Sequence, residues 1–553
     1  MKTSRIIIAS LFFLACGKTG TTTTTPITPV VSTVSVTSIT LNNLSFDNII
    51  YGANISSLLK IQFSQPINQN TVNAINLKDA NGTAIAITTS FQNHDSLLLV
   101  QPASPLKYLS KYFFTVTGSL QSASGGSLTT TVDKSFFTQL DSSNKFPIVS
   151  DSLLLDKIQQ QTLKYFVDFS HPVSGLARER NTSGDIVTSG GSGFGIMAII
   201  TGINRNFISR SQGLTQVQKM VGFLKNTAQK VHGAFPHWLN GATGAIVPFS
   251  TKDDGADLVE TSYLMQGLLT ARQYFSGTNT DEVNLRADIN ILWKGVEWDW
   301  FRQNNQNVLY WHYSNNYLWD MNVKIQGWNE CLVTYVLAAS SATHAIPAIV
   351  YTSGWAGGSG FLNGNSYYGY QLPLGQAQGG PLFFSHYSFL GINPNGLVDA
   401  YSNYTIQTKN HTLINYSYCV ANPQNNYGYS NACWGLTASD IQNGYTASSP
   451  TNDVSVIAPT AAISSLPYTP IESMRAIKFF YYVLGDKLWG DYGFYDAFSL
   501  KNTWFANSTL AIDQGPIIVM IENYRTGLLW NLFTSCPEVK TGMVTLGFKA
   551  PYL

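Results

Sequence analysis

Asp253, Asp257 and Glu260 stand at spacings of i, i+4 and i+7 in the stretch DDGADLVETSYL. On an α-helix that spacing puts three carboxyls on one stripe, away from Leu258, Val259, Met265 and Leu269. Like charges so placed repel, although acids in a first helical turn regain about 0.3–1 kcal/mol from the helix dipole. Taken alone, the stretch therefore reads equally as a solvated helix start. Two further acids alter the weighing: Glu330 in QGWNECLVTYV and Asp513 in LAIDQGPIIVMIENYRTGLLW each stand where a predicted helix begins. Five carboxyls converging on one place suit hydrolysis of a glycosidic bond, which needs one protonated carboxyl at the leaving oxygen and one ionised carboxylate to activate water.

The elements that must bring them together follow from periodicity. Residues 151–553 show helical spacing, starting with Leu155, Ile158, Leu163 and Phe166 and recurring near 191–207, 254–275, 281–302, 327–341, 399–420, 470–489, 515–533 and 538–547. Thr469-Pro470-Ile471-Glu472 reads as a capping box with proline at the first helical position. Gly515-Pro516 marks the start of the helix that Asp513 precedes. Repeated helical hairpins without a fixed solenoid period predict an α/α toroid rather than a superhelical solenoid, with inner helices that aim their N-terminal ends at one mouth. Long aromatic loops such as NGNSYYGYQLP suit a functional rim.

Ahead of the linker DSSNKFPIVS (141–150), residues 36–140 alternate apolar and polar residues in short segments. Asn81-Gly82 and Gly125-Gly126 serve as turn signals, so a β-sandwich is predicted. The opening MKTSRIIIASLFFLAC combines Lys2 and Arg5 with an apolar run too short to span a bilayer, which needs about 20 residues, and ends on a cysteine. Residues 1–16 thus read as a lipoprotein signal with Cys16 as the lipidated residue, ordinary cleavage and secretion being the alternative; 17–35 form a Thr/Pro spacer. The expected location is the cell envelope, on the periplasmic or the surface side. Cys331, Cys419, Cys433 and Cys536 show no metal-ligand spacing, although a Cys419–Cys433 disulfide would close the loop between them. A net charge of +1 with 11% charged residues gives no nucleic-acid footprint. Aromatic residues reach 13%, which supplies flat apolar faces of the kind sugar rings stack on, or simply an aromatic core.

The ordered motifs KDDGADLVET, QGWNE, PLFFSHYSFLGINP, NACWGLTASD, IAPTAAISSLPYTPIESM, LWGDYGFYDAF and AIDQGPIIVMIENYRTGLLW make residues 151–550 resemble glycoside hydrolase family 144. These are bacterial β-1,2-glucan hydrolases catalogued as glucoamylase-like, and the preceding segment resembles a bacterial Ig-like domain. The resemblance implies an (α/α)6 barrel that cleaves linear β-1,2-glucan internally, or from an end with release of sophorose-type units, and inverts the anomeric centre. It implies Asp253, Asp257, Glu260 and Glu330 as acidic cleft residues; among the acids we assign Glu330 as general acid and Asp513 as the leading base candidate, with Asp257 or Glu260 the alternative for positioning the water. Trp311, Trp319, Trp328, His386, Trp434, Tyr495 and Arg525 are the substrate-binding candidates, although Arg525 could instead pair with Glu522 at i, i+3. Val398 and Ala400 depart from the charged pattern expected in NPNGLVDAYSNY.

Two other functions stay open on the residues alone. A polysaccharide lyase would use groups such as Asn410 and His411, and a glycan-binding lipoprotein would share the signal, spacer and aromatics without turnover. Ca²⁺ held by Asp253, Asp257 and Glu260 would need six to eight oxygens, more than one helix face offers, so neither metal nor cofactor is expected. The partners expected are a β-glucan and a membrane lipid, not nucleic acid, with the chain acting as a monomer.

Overall fold

The computed structural model describes residues 30–553. The signal segment, Cys16 and most of the spacer lie outside the described residues. Two units emerge, dividing between Gln139 and Leu140.

The first unit is a sandwich of two five-stranded sheets. Its strands are β1 (Val36–Leu41), β2 (Leu44–Ser45), β3 (Ile50–Ala53), β4 (Leu59–Phe63), β5 (Ile75–Asp79), β6 (Ala84–Ile85), β7 (Ile87–Gln92), β8 (Leu97–Pro102), β9 (Lys111–Val116) and β10 (Val132–Thr138). One sheet runs β2-β1-β4-β8-β7 and the other β3-β10-β9-β5-β6. Period-two alternation fixes which side chains turn inward: Leu59, Ile61 and Phe63 of β4 and Tyr112, Phe114 and Val116 of β9 are buried, while the residues between them face outward. Val34 also bridges Leu128, so the sandwich begins inside the stretch assigned to the spacer.

The second unit is an (α/α)6 toroid. Helices α1 (Asp151–Val167), α2 (Ser189–Asn204), α3 (Arg210–Asn226), α4 (Leu258–Tyr274), α5 (Thr280–Lys294) and α6 (Leu332–Ser340) form three outer–inner hairpins. The fourth hairpin is degenerate, with a π-turn at Val350–Trp355 outside and short 3₁₀ turns at Leu382–Ser385 and Ser388–Leu390 inside. Then come α7 (Tyr404–Ala421), α8 (Pro459–Ile463), α9 (Pro470–Lys478), α10 (Gly485–Leu488), α11 (Ala511–Thr526), α12 (Leu528–Thr534) and α13 (Pro537–Thr545). Inner helices are buried on every side, whereas outer ones bury a single stripe. All residues of α6 are buried, but α3 buries Gly213, Val217, Met220, Val221, Phe223 and Leu224.

Glycines let two inner helices approach closely despite a helix-propensity cost of roughly 1 kcal/mol each. A Cβ on Gly193 of α2 would lie 2.2 Å from the Tyr263 carbonyl oxygen of α4, and one on Gly267 would lie 2.2 Å from the Gly193 carbonyl oxygen. This contact brings the start of α4 against the start of α2.

Several helix starts differ from the sequence expectation. The helix expected near 254 begins at Leu258, because Asp257 is its N-cap: Asp257 Oδ1 accepts the Val259 and Glu260 N–H groups, each at 2.9 Å. Asp253 stands in the preceding loop, so the three acids share no helical stripe. The helix expected from Gly515 starts at Ala511, which puts Asp513 inside the first turn and Pro516 inside the helix. No capping box forms at Thr469; its hydroxyl turns to the Ser465 carbonyl and the Ser473 hydroxyl. Cys419 and Cys433 are buried free thiols, not a disulfide. The expected linker is part of the helical unit: Lys145 N donates to the Tyr482 carbonyl at 2.7 Å, and the Phe146 ring lies 4.6 Å from that of Tyr481.

Candidate active site

A cavity of about 440 Å³ opens at the N-terminal ends of α2, α4 and α6. Glu260, Glu330, His237, Trp311, Tyr263 and Tyr387 are among its walls. Glu260 is held at one corner, where its Oε2 accepts the Gly190 N–H at the α2 start (2.7 Å) and the Thr188 hydroxyl (3.3 Å). Glu330 sits just before α6. Its backbone carbonyl accepts the Ser388 hydroxyl, with the Tyr263 hydroxyl 3.5 Å away, so the peptide that carries the carboxyl is fixed from two neighbouring elements.

Asp253, Asp257 and Glu260 are brought together, although by a loop, a cap and a helix. A short β-bridge pairs Asp257 with His312, and the Asp257 N–H donates to the Phe235 carbonyl at 2.9 Å. His237 supplies the countercharge, with Nδ1 at 3.1 Å from Asp257 Oδ2 and Nε2 at 4.0 Å from Glu260 Oε1. His312 Nε2 lies 3.5 Å from Asp253 and 3.7 Å from Asp257.

These surroundings separate the carboxyls chemically. Burial, reinforced by the Asp257 and Glu260 charges, pushes the Glu330 carboxyl up to about 7, so it keeps its proton near neutrality. Burial and Asp257 push Asp253 up to about 7. Burial acts the same way on Asp257, but the His237 hydrogen bond and the two imidazoles outweigh it and hold Asp257 below the usual range. Burial disfavours the His237 cation, yet Glu260, Asp257 and Asp253 overcome this and raise it to about 9. A neutral acid on the cavity wall, Glu330, backed by an ionised one, Asp257, buried behind it, shows the surroundings splitting carboxyl protonation states as glycosidic hydrolysis requires. His237, Asp253 and Asp257 also offer ligand atoms within 4.8 Å of one another.

Asp513 is buried beneath the wall formed by Leu510 and Ile512, beside Asp496. Of the aromatic candidates, Trp311 lines the cavity. Trp319 instead packs on Trp300, with ring centres 4.7 Å apart, and Trp328 is buried among Trp355, Phe389 and Tyr404. Trp434 is fully buried and donates Nε1–H to the Glu472 carbonyl. Tyr495 lies against Gly490, outside the cavity wall. His386 is buried and bonded to Ser465 at 3.0 Å, and burial drives its pKa down to about 3, so it is a neutral core group. Arg525 borders a groove of about 860 Å³ elsewhere on the unit and pairs with Asp156 at 2.6 Å. Glu522 pairs with Arg205 instead, at 2.7 Å. Asn410 and His411, the pair named for a lyase, bond to Gln371, Ser385 and Gly380 and do not line the cavity.

The residues missed in the sequence are His237, Arg180, Tyr387, Tyr445, Asp440 and Asp496. His237-Trp238, in AFPHWLN shortly before the acids, was one visible signal, and Tyr387, Asp440 and Asp496 lie inside the motifs PLFFSHYSFLGINP, NACWGLTASD and LWGDYGFYDAF. Asp440 and Tyr445 face each other across a short hairpin, Ala438–Ile441 with Gly444–Ala447, whose length is too small for its periodicity to mark them.

Helical hairpins closed into a ring around a carboxyl-lined mouth define this unit as an (α/α)6 toroid of the glycoside hydrolase type. The family described as "Putative glucoamylase" matches residues 322–537, and a bacterial Ig-like domain matches 25–138. A crystal structure of a glucoamylase so described, from Bacteroides uniformis, is 54% identical with a TM-score of 0.73, covering 74% of this chain and 100% of that one. An endo-β-1,2-glucanase from Chitinophaga pinensis, solved with sophorotriose and glucose, is 51% identical with a TM-score of 0.72, covering 73% and 100%. An exo β-1,2-glucooligosaccharide sophorohydrolase (non-reducing end) from Parabacteroides distasonis is 45% identical over 429 residues, 73% of this chain. That match spans 59% of the sophorohydrolase's own length. The chain belongs to this glucoamylase-like family, glycoside hydrolase family 144.

Proposed function

We propose that the toroid hydrolyses linear β-1,2-glucan with inversion, using Glu330 as general acid. The observation that carries this reading is the cavity wall on which Glu330 stands neutral beside Glu260, with the ionised Asp257 buried just behind it. Relatives whose names specify β-1,2-glucan or its oligosaccharides support the linkage. Glu330 protonates the leaving oxygen. Asp513 accepts the proton of the attacking water, directly or through a sugar hydroxyl, and the Asp253, Asp257, Glu260 and His237 cluster orients sugar hydroxyls. Trp311 provides the stacking face. Inversion requires about 6.5–9.5 Å between acid and base, room for a water.

The test is early-time NMR together with chromatography on linear β-1,2-glucan. The new reducing end appears first as the α-anomer, and the length distribution separates internal from end-wise cutting. First appearance of the β-anomer, or reducing sugar only from other linkages, rejects the reading.

We further infer that the enzyme is a monomer tethered to the envelope through lipid on Cys16. Among the described residues no helix is long and apolar enough to cross a membrane. Cys16→Ser should move the protein from the detergent-extracted to the soluble fraction; an unchanged distribution would point to another anchor.

A further inference from the structure

Behind Leu510 and Ile512 of the cavity wall lies a second group of acids. Asp513 of α11 and Asp496, on the loop entering the strand Phe498–Ser499, are both buried, at 2% exposure each. Their carboxyls hydrogen-bond each other. Asp496 Oδ2 accepts the Asp440 N–H at 2.6 Å, but Asp496 Oδ1 and both Asp513 oxygens meet no donor among the described residues. Two carboxylates offer only acceptors, so a hydrogen bond between them requires that one hold a proton. The flanking groups fit a single shared proton. Arg180 is already divided between Glu179 (2.9 and 3.1 Å) and Asp440 (3.1 Å to each oxygen), and Asp440 also accepts the Ser508 hydroxyl (2.5 Å), so the pair has no cation of its own. Tyr445 and Tyr387 approach from the cavity side as neutral phenols. Burial first, then mutual repulsion, raises Asp513 well above its usual range, and burial lifts Asp496 to about 7.

We propose that the catalytic base is the Asp513–Asp496 pair sharing one proton, with Asp496 the positioning residue that holds this proton while Asp513 receives another. This rests on the hydrolytic reading above. The step balances as follows. The water oxygen bonds the anomeric carbon as its O–H bond breaks, and that proton goes to Asp513 while the shared one settles on Asp496. The glycosidic C–O bond breaks as Glu330 protonates the leaving oxygen. The pair, now neutral, then returns one proton through solvent to Glu330, restoring the resting state.

Asp496→Asn can keep the contact, because its amide donates to Asp513 and its carbonyl accepts from Asp440. Turnover of β-1,2-glucan should therefore stay within about tenfold of the parent in D496N, but fall by on the order of 10²–10⁴ in D513N and D496A. The resting protein supplies an independent measure at mildly alkaline pH: the infrared carbonyl band of a neutral carboxylic acid should lose one component in D496N and likewise in D513N. Parental activity in D496A, or a D496N enzyme as inactive as D513N, overturns the proposal, as does an unchanged infrared band in both variants. If the parent itself leaves β-1,2-glucan intact, the hydrolytic reading fails while the infrared comparison still decides proton sharing. If D496A does not fold, D496N and the band decide.

Discussion

His237 Nδ1 lies 3.1 Å from Asp257 Oδ2, joining a cation to the carboxylate that caps α4. The folded imidazole titrates at about 9, against 6.5 without its partners. A raised pKa stabilises the fold fully below the unfolded value and loses that effect as pH climbs through the folded one. Asp253 and Glu330, both raised to about 7, act in the same direction at lower pH. Thermal unfolding should therefore show the melting temperature falling from pH 6.5 to 9. His237→Gln should flatten that interval, removing up to about 3 kcal/mol of pH-dependent stability. An equal slope in the variant would remove His237 from the account.

Glu330 works only while protonated, so kcat/KM should drop on the alkaline side of about 7, approaching tenfold per pH unit. Glu330→Gln keeps the shape without the transferable proton. Its rate should fall on the order of 10²–10⁴, with oligosaccharide affinity preserved by calorimetry and the alkaline limb gone.

Gly193→Ala and Gly267→Ala each drive a methyl group into backbone at 2.2 Å, which cannot swing aside as a side-chain tip would. Each should cost roughly 1–3 kcal/mol or more, read as a lowered melting temperature. Since this contact sets α4 against α2, KM should rise as well. An unchanged Tm would mean that the two helices separate freely.

Trp311 and Trp434 should part ways when replaced by alanine. Trp311→Ala, on the cavity wall, should raise KM on the order of tenfold, about 1.4 kcal/mol, and leave the melting temperature nearly unchanged. Trp434→Ala empties a fully buried site and should cost about 3–5 kcal/mol of stability. Equal effects on KM from both would contradict their placement.

The sequence by itself determined the order of the two units, the strands of the sandwich and most of the toroid helices, because periods of 2 and 3.6 are local properties that burial on one face writes directly into the chain. It also pointed to Glu330 and to the acids near 257, since residues at helix starts carry cap signatures. Tertiary structure alone decided which groups share a charge environment. Asp253 and Asp257 seemed to lie on one helix face; instead one is in a loop and the other a cap, and His312, some fifty-five residues later in the chain, stands against both. His386, Trp328 and Trp434 have residue types suited to a sugar cleft and are packed into the core, because a motif records identity and spacing but not which side of a wall a side chain faces. Asp496 stands inside the motif LWGDYGFYDAF, but the motif says nothing of its role, which depends on a buried contact with Asp513 that exists only once the last hairpin closes the ring, where burial and proximity set the proton's position.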